Sequence, residues 1–382
     1  MKYPGSISKK KRCLVTVILF IAAAFTANAQ NSDVVTSGTY LSRSWKYIAS
    51  NMPWEWYGSD EAKSVAQILL LTQKDIGGWD KNKNFHRLSK GEIAALAESR
   101  AETGATFDNN ATITELRFLA KVFSHHQDKR YKDAFEKGLN YIFLSQYDNG
   151  GWPQFYPARR GVSYSSHITY NDNAMVNILL FLRDIYADKE LYTLMNLSEE
   201  VKLKAKKAFD NGIECILNTQ IVVDGKPTVW CAQHDEKTLA PAAARAYELP
   251  SFSGSESAGI VLLLMDIEKP SGKMINAVEG AVNWFKSHKL EGIRLERAIN
   301  EDGKRDLIVV QDEKAAPLWA RFYDLKTEKP YFCGRDGIKR TSISEIEYER
   351  RNGYGWYTDA PKKVLEKYSE WLQKKEIALE MR

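Results

Sequence analysis

The sequence predicts an all-α fold, namely an α/α toroid: an incomplete (α/α) barrel of about three helix pairs with long loops and a few short strands. Two observations favour this fold class. Apolar residues recur at helical spacing in successive segments, and a Gly-rich loop recurs at an interval of about seventy residues. In a toroid, successive antiparallel helix pairs form a ring, so the loops at one end surround a cleft.

The first repeated helix is expected after Ser59-Asp60-Glu61, a cap-like start that is followed by an apolar stripe from Val65 to Thr72. Segments that combine a short polar start with one apolar helical face recur along the chain. They open at Asn110, Asn173 and Ser255, and a last helix is expected from about Pro361. Each repeat unit is therefore expected to hold two helices.

The repeated loops share a Gln-x-x-x-Gly-x-Trp pattern. It occurs from Gln73 to Trp79 and again from Gln146 to Trp152, with a weaker third copy from Gln220 to Trp230. Triterpene cyclases are also α/α toroids and carry this pattern as a structural brace, but the Asp-x-Asp-Asp acid motif that they need is absent from this sequence. We therefore interpret the repeats as packing that closes helix pairs.

Strand signals are sparse. Ile221 to Val223 and Leu307 to Val310 are expected to form small hairpins, and Ala316 to Tyr357 is expected to be mainly loop. A long aromatic and Gly-rich loop in a helical domain is either functional or evidence against the helical assignment, and we take this one as functional.

The N-terminus has the composition of a secretory signal peptide. A basic group, Lys9 to Arg12, precedes an apolar run from Leu14 to Phe25, and Ala27-Asn28-Ala29 forms a small-x-small cleavage site. We therefore expect residues 1–29 to be removed and residues 30–382 to form a single catalytic domain. That domain is expected to be secreted, to the periplasm or the medium, without a membrane anchor and as a monomer.

Charge and cysteine content narrow the function classes. The leader carries five basic residues and no acid, so the mature chain has 54 − 5 = 49 basic and 49 acidic residues and no net charge. A nucleic-acid partner is not expected, because it would need a basic surplus. Three distant cysteines cannot form a disulfide framework; one bridge with a free thiol and three buried thiols both fit. These cysteines are Cys215, Cys231 and Cys333.

Two acidic segments precede repeated helices: Asp108-Asn109-Asn110 and Asn171-Asp172-Asn173. In a ring of helix pairs, Asp108 and Asp172 would reach the same rim. Carboxylate and amide oxygens suit a hard cation such as Ca²⁺. The alternative is that these residues only cap helices, since Asp and Asn are common N-caps.

Arginines cluster in two irregular regions. Arg245 lies in the segment Thr228 to Ser251, which also holds His234, Asp235 and Glu248. Arg321, Arg335 and Arg350 lie among aromatics and glycines in the later loop. Guanidinium groups on a near-neutral protein suit bidentate binding of carboxylates. The alternative is that each arginine pairs with a nearby acid, as Arg335 could with Asp336.

Several long motifs in this order resemble the family-10 polysaccharide lyases, which are pectate lyases. They are Asp108-Asn109-x-Ala-Thr, Gly-Gly-Trp-Pro-Gln-Phe-Tyr-Pro at 150–157, Ile-Thr-Tyr-Asn-Asp-Asn-Ala-Met at 168–175, the segment Thr228 to Ser251, and the stretch from Arg321 to Arg351. The resemblance covers about residues 60 to 360. It implies an α/α toroid that binds calcium and cleaves polygalacturonate (homogalacturonan, the backbone of pectin) by β-elimination to 4,5-unsaturated oligogalacturonides.

The resemblance also implies roles for individual residues. Arg335 corresponds to the catalytic base that removes the C5 proton of the uronate. The calcium-side residues are Asp108, Asn109 and Asp172, and the residues implied to bind substrate are Arg245, Arg321, Arg350 and Lys304. Arginine is normally a fixed cation, so its use as a base requires desolvation, neighbouring positive charge or an alkaline medium.

Two alternatives remain open at the level of sequence. One is a glycoside hydrolase on a helical toroid that uses a carboxylate pair such as Asp235 and Glu248. That reaction needs an acid of raised pKa and produces no double bond. The other is a non-catalytic uronate-binding protein that uses the same arginines.

Overall fold

The computed structural model describes residues 39–380, with side chains described for residues 40–373. The predicted signal peptide, residues 1–29, lies outside the described residues. Residues 39–42 form a short 3-10 turn in a separate N-terminal unit. The fold below is that of residues 43–380.

Twelve α-helices are present in this described part of the chain, joined by 3-10 turns and irregular loops. They are α1 (Trp45–Asn51), α2 (Asp60–Thr72), α3 (Lys90–Glu98), α4 (Ile113–His126), α5 (Lys129–Leu144), α6 (Ala174–Tyr186), α7 (Glu190–Thr193), α8 (Glu199–Thr219), α9 (Glu256–Met265), α10 (Gly272–Ser287), α11 (Tyr348–Gly353) and α12 (Ala360–Glu380).

The long helices form two rows. Helices α4, α6, α9 and α12 contact one another in series and form the inner row, while α2, α5, α8 and α10 form the outer row in the same order. Each outer helix comes before its inner partner in the chain: α2 before α4, α5 before α6, α8 before α9, and α10 before α12. The α/α toroid prediction is therefore confirmed, and its last pair, α10 with α12, is separated in sequence by the loops of residues 288–359.

The repeated Gln-x-x-x-Gly-x-Trp loops brace neighbouring outer helices. Gln73 donates from Nε2 to the carbonyls of Gly77 and Ala134, at 2.7 and 2.8 Å. Gln146 repeats this with Gly150 and Ala208. The tryptophans that end the loops are buried and donate to helix carbonyls: Trp79 to Leu69, Trp152 to Ile142 and Trp230 to Ile216. The interpretation of this motif as helix packing is confirmed.

Helix starts follow the local sequence signals. The Ser59 hydroxyl accepts a hydrogen bond from the Ala62 N–H at 3.2 Å and caps α2, as its sequence context predicts. Within the described residues, α6 and α9 are buried along most of their length, which suits the inner row. None of the described helices is both long and apolar enough to cross a bilayer.

The strands are short and antiparallel, and most of them lie in the loops that precede the inner helices. They are β1 (Ile168–Thr169), β2 (Val222–Val223), β3 (Lys226–Pro227), β4 (Gln233–His234), β5 (Ser251–Ser253), β6 (Ile293–Ile299), β7 (Arg305–Gln311), β8 (Trp319–Ala320), β9 (Phe322–Asp324), β10 (Phe332–Cys333), β11 (Lys339–Arg340) and β12 (Tyr357–Thr358).

Strand pairing ties distant loops together. β1 pairs with β4, β5 with β9 and β8 with β12, while β2–β3, β6–β7 and β10–β11 are local hairpins. The two predicted hairpins are present as β2–β3 and β6–β7. The register of β5 and β9 sets Ser253 opposite Phe322. This pairing brings the start of α9 beside Arg321, which follows β8.

Candidate active site

Two 3-10 turns before the inner helices carry the predicted calcium residues. Asp108–Asn110 lies before α4 and Asn171–Asn173 lies before α6. The second and third residues of both turns have positive φ angles, 52° and 65° in the first and 53° and 58° in the second. Asn and Asp tolerate this left-handed conformation better than most residues, which explains the Asn-rich sequence of both turns. Asn109 and Asp172 thus occupy equivalent positions.

Neither Asp108 nor Asp172 serves as a helix cap. The N-cap residues of α4 and α6 are Thr112 and Asn173, and neither makes a side-chain capping hydrogen bond. Asp108 is buried and forms an ion pair with Lys81. The alternative that these acids only cap helices is therefore not what the structure shows.

The two turns lie together. They contact each other directly, although Asp108 and Asp172 are far apart in sequence. Burial raises the pKa of Asp172; Arg321 opposes this shift, and the charges of Glu256 and Asp108 add to it. The predicted convergence of Asp108 with Asp172 is therefore found at the level of both contact and electrostatics.

The oxygen donors at these turns fit a hard cation. Asp108 and Asp172 provide carboxylates, and the Asn109 and Asn171 side chains add amide oxygens, which is the type of donor set that Ca²⁺ takes. Asn109 donates from Nδ2 to Asn82 at 2.8 Å, so its amide orientation is fixed. Lys81 and the later arginines neutralise part of the carboxylate charge, and a bound cation would compete with them.

Arg321 is the buried cation at the centre of the site. Its Nη2 lies 2.5 Å from Glu256 Oε1, 2.9 Å from Asn171 Oδ1 and 3.5 Å from Asp172 Oδ1. Burial alone would lower the pKa of Arg321, but the negative charges around it, Glu256 foremost, raise that pKa above its ordinary value. Arg321 is therefore a permanent positive charge beside the calcium-side turns.

Arg245 is half-exposed, and its charge acts on Asp172. It forms a bidentate ion pair with Glu248, with Nη2–Oε1 at 2.5 Å and Nε–Oε2 at 2.8 Å. The Tyr354 hydroxyl also donates to Glu248 Oε1, at 2.8 Å. Hydrogen bonding to Glu248 raises the pKa of Arg245. The Tyr354 ring lies under both guanidinium groups, 5.6 Å from that of Arg245 and 4.7 Å from that of Arg321.

Arg335 and Arg350 share one carboxylate, that of Glu349. Arg335 reaches Glu349 at 3.1 and 3.2 Å, and Arg350 donates from Nε at 2.7 Å. These hydrogen bonds, from Arg350 first and then Arg335, lower the pKa of Glu349 to about 2. Arg350 is buried over the Tyr247 ring at 4.6 Å, whereas the Arg335 side chain is 65% exposed.

Tyr247 joins these arginines into one group. Burial raises the pKa of Tyr247, and the charges of Arg245, Arg350 and Arg335 act to lower it. The four predicted arginines therefore surround Tyr247 and Tyr354. The pairing alternative holds for each arginine, but Arg335 pairs with Glu349; Asp336 binds Arg340 instead, at 2.8 Å.

Lys304 lies apart from the arginine group in the described contacts. It is exposed in the turn between β6 and β7, 3.8 Å from Asp302, with its ammonium 5.6 Å from the centre of the Tyr348 ring. Tyr348 starts α11, the helix that carries Arg350. The structure thus places Lys304 at the edge of the site.

A second group of metal-type ligands lies outside the predicted calcium turns. His167, Asp235 and Glu236 can bring one ligand atom each within 4.8 Å of the others. His167 Nδ1 lies 3.1 Å from Glu236 Oε2. Asp235 accepts hydrogen bonds from the Lys237 and Thr238 N–H groups, and those bonds lower its pKa.

Sequence reasoning missed the partners that hold the arginines. Glu256, Glu349, Asn171 and the two tyrosines were not assigned to the site. From the sequence alone, Glu256 is expected to be an ordinary residue of the first helical turn, and Tyr247 and Tyr354 are expected to be ordinary core aromatics. The one available signal was their position, because each lies within a few residues of a predicted arginine or at a predicted helix start.

Comparison with known proteins identifies the class. The profile of the pectic acid lyase family matches residues 73–365. A mutant of a family 10 polysaccharide lyase from Cellvibrio cellulosa, solved in complex with trigalacturonic acid, is 34% identical. Its TM-score is 0.71, and the match covers 85% of this chain and 97% of that one. A second structure of the Cellvibrio cellulosa enzyme has 34% identity, a TM-score of 0.70, and coverage of 83% and 95%. No curated protein matches the sequence.

These matches and the helical toroid define a polysaccharide lyase. The chain belongs to the pectic acid lyase family, and it is a pectate lyase. The pKa values of Asp235 and Glu248, the two carboxylates that a hydrolase would use, agree with this conclusion. A hydrolase needs an acid of raised pKa, whereas the pKa values of both Asp235 and Glu248 are lowered.

Proposed function

We propose that this pectate lyase uses calcium to cleave polygalacturonate by β-elimination and leaves a 4,5-unsaturated uronate on the new chain end. The observation that carries the proposal is the grouping of four arginines with Asp172 around Tyr247 and Tyr354. A polyuronate presents one carboxylate per sugar, and guanidinium groups bind carboxylates bidentately. The complex of the Cellvibrio cellulosa lyase with trigalacturonic acid supports the same substrate.

The reaction requires a base, charge stabilisation and a leaving group. The base takes the proton from C5, which is α to the uronate carboxylate. The C5–H electron pair forms the C4–C5 double bond, the C4–O bond breaks, and the departing oxygen takes a proton. Arg321 and Arg350 are buried cations that can stabilise the negative charge that develops on the uronate carboxylate. Calcium, when bound, adds positive charge at that carboxylate and acidifies C5–H.

Exposure separates the arginines into two pairs. The side chains of Arg321 and Arg350 are 12% and 8% exposed, so they are held as fixed charges. Arg245 and Arg335 are 45% and 65% exposed and can meet a substrate proton. We propose Arg335 as the base. Arg245 is the second candidate, because its charge acts on Asp172 beside the calcium-side turns. The bond to Glu248 raises the pKa of Arg245, so Arg245 can act as a base only after the substrate has displaced Glu248.

The reaction type is tested by ultraviolet absorbance during incubation with polygalacturonate, first with calcium and then with a chelator. We expect a rising absorbance from the unsaturated uronate, and its loss with the chelator. New reducing ends without that absorbance would indicate hydrolysis. Binding of the polymer without either product would indicate a uronate-binding protein.

The base is tested with Arg335→Ala and Arg245→Ala, with Arg340→Ala as the matched control. Arg340 lies in the same loop but pairs with Asp336 and not with Glu248, Glu256 or Glu349, the acids that hold the arginine group. Loss of the base should lower kcat by roughly 10²–10⁴-fold. Loss of a substrate ligand should mainly raise KM. A larger kcat loss in Arg245→Ala than in Arg335→Ala would transfer the role of base to Arg245.

Calcium binding is tested by titration calorimetry on Asp172→Asn. The substitution keeps the side-chain shape and removes one ligand charge, so calcium affinity should fall by roughly tenfold or more. Asp210→Asn is the control, because Asp210 pairs with Lys206 on the outer helix α8. Equal calcium affinities of the wild type and Asp172→Asn would remove Asp172 from the proposed metal site.

Export is proposed from the predicted signal peptide at residues 1–29. N-terminal sequencing of the protein recovered from its native host should then begin at Gln30. A mature protein that retains the residues before Gln30 would reject the cleavage site.

A further inference from the structure

Three side chains of the metal-binding type lie together at one end of the ribbon formed by β1 and β4, and the reaction derived above uses none of them. The register of the ribbon pairs Ile168 with His234. His167 directly precedes β1 and Asp235 directly follows β4, so the antiparallel pairing brings these two residues to the same end. Glu236 is the next residue in the chain, and one ligand atom of each of the three lies within 4.8 Å of the others.

This spacing suits a single metal ion. Metal–ligand bonds of roughly 2.0–2.2 Å separate ligand atoms by roughly 3–4 Å, so small side-chain rotations would close all three ligands on one ion.

The two carboxylates of this group have no fixed cation beside them. Glu236 Oε2 lies 3.1 Å from His167 Nδ1, and no Lys or Arg of the described residues forms an ion pair with either acid. Asp172 at the calcium-side turn differs, because it pairs with Arg321. The side chains of His167 and Glu236 are only 16% and 23% exposed. Partly buried carboxylates are costly unless they are paired or bind a metal, so the group favours a cation as its occupant.

Neighbouring groups orient the carboxylates and leave ligand atoms free. Asp235 Oδ1 accepts hydrogen bonds from two backbone N–H groups that follow it, at 3.0 and 2.7 Å, while its Oδ2 makes none with a described residue. Glu236 Oε1 accepts from the Ser166 hydroxyl at 3.1 Å, and this contact directs Oε2 at His167. Outer contacts of this kind fix the orientation of metal ligands.

The ligand types select the class of metal. Ca²⁺ takes six to eight oxygen ligands and Mg²⁺ also prefers oxygen, so an imidazole in a set of three disfavours both. Zn²⁺ and similar divalent transition metals accept nitrogen together with oxygen, and a site with three protein ligands keeps a position for water. The alternative occupant is a proton, which would make His167 and Glu236 a plain ion pair.

We propose that His167, Asp235 and Glu236 form a binding site for a zinc-type divalent metal ion, separate from the calcium-side turns. The ion replaces the proton between the imidazole and Glu236. It joins residue 167 to residues 235–236 and so holds the end of β1 that lies away from the turn Asn171–Asn173. This site does not depend on the proposed function, because none of its ligands belongs to the arginine group.

The test is calorimetric titration of zinc into the metal-stripped chain, which carries no affinity tag. We expect the wild type to bind zinc at this site and His167→Gln to lose affinity by roughly 100-fold or more, since loss of even an outer partner costs roughly 10–100-fold. Asp235→Asn should lose affinity as well. It keeps the acceptor for the backbone N–H groups and removes only the charge, so its fold should be retained.

His288→Gln is the matched control. His288 pairs with Glu328 at 3.0 Å and is 17% exposed, much like His167, but it belongs to no group of three metal-type ligands among the described residues. Zinc should also raise the Tm of the wild type and of His288→Gln but not of the two site variants, because a ligand that binds only the folded chain stabilises it. Excess calcium should leave the zinc affinity unchanged.

Three results would overturn the proposal. The first is a wild type that binds no zinc, and the second is zinc affinity in His167→Gln and Asp235→Asn equal to that of the wild type. An equal loss of affinity in His288→Gln is the third, because the zinc would then lie elsewhere. Displacement of zinc by calcium would reject the class of metal, since it would show a site for hard cations.

Discussion

Among the carboxyl groups of the described residues, Glu115 is the one whose burial has the largest predicted consequence for stability. Burial raises its pKa from 4.5 to about 7, against the opposing hydrogen bond from Trp45. In the folded protein Glu115 therefore keeps its proton in a pH range where the unfolded chain has lost it. Stability from this group is fully present below the unfolded pKa and is lost as the pH rises through about 7.

The magnitude follows from the size of the shift. A change of one pKa unit is worth about 1.4 kcal/mol, so the shift of Glu115 corresponds to about 3 kcal/mol of stability lost between mildly acidic and mildly alkaline pH. Glu115→Gln removes this titration. Its amide oxygen can still accept the hydrogen bond from the Trp45 indole.

The assay is urea unfolding of the wild type and Glu115→Gln at pH 4.5, 6 and 8. The difference in unfolding free energy, variant minus wild type, should rise by about 3 kcal/mol from the lowest pH to the highest. Other titrating groups cancel in this difference. Glu98→Gln makes the same chemical change at an exposed position of α3 and should show a flat difference. A flat or falling curve for Glu115→Gln would refute the reasoning.

Two further predictions concern packing and the thiols. Gly150 has a φ of +88°, and a Cβ there would lie 2.0 Å from the carbonyl oxygen of Asn211; Gly150→Ala should therefore destabilise by roughly 3 kcal/mol or more in chemical unfolding. Gly161→Ala should cost only about 1 kcal/mol, because Gly161 has a φ of +73° but open space around it. All three described cysteines are free and buried, so Ellman's reagent should react with them only after unfolding, and a reductant should leave Tm unchanged; they are Cys215, Cys231 and Cys333.

The helical frame could be predicted because its signals are local. The Ser59 cap and the stripe from Val65 to Thr72 are encoded within one segment, and the structure has α2 at those residues. The Gln73 and Gln146 loops repeat because each must brace the next outer helix in the same way. Local periodicity and internal repetition therefore predict the toroid without knowledge of long-range contacts.

The calcium turns could be predicted only in part. Their Asn and Asp residues are visible in the sequence, but these residue types also favour caps. Only the backbone separates the two functions, since Asn109 and Asp172 have left-handed φ angles and the caps of α4 and α6 are other residues. The equivalence of Asn109 with Asp172, rather than of Asp108 with Asp172, likewise depends on the observed turns.

The partners of the arginines depend on long-range pairing that the sequence does not reveal. Arg321 meets Glu256 across 65 residues because β5 pairs with β9 in strands of only three residues. Segments this short carry no usable alternation pattern. The alternative to a catalytic role for Arg335 was a pair with Asp336, its neighbour in sequence, but Arg335 pairs with Glu349 in α11. Proximity in sequence therefore predicts the correct kind of interaction for Arg335, an ion pair, but the wrong carboxylate.

The ion pairs of the site differ in how readily a substrate carboxylate can replace them. The pair of Arg321 with Glu256 is buried on both sides, so breaking it would leave an uncompensated charge at a cost of several kcal/mol. The pair of Arg335 with Glu349 is exposed on both sides, so solvent and salt screen it and it contributes little to stability. A polyuronate can therefore exchange with Glu349 at Arg335 while Glu256 keeps Arg321 in place. The site thus combines two fixed cations, Arg321 and Arg350, with the more exposed Arg245 and Arg335, whose partners an anionic substrate can replace and an anionic product can release.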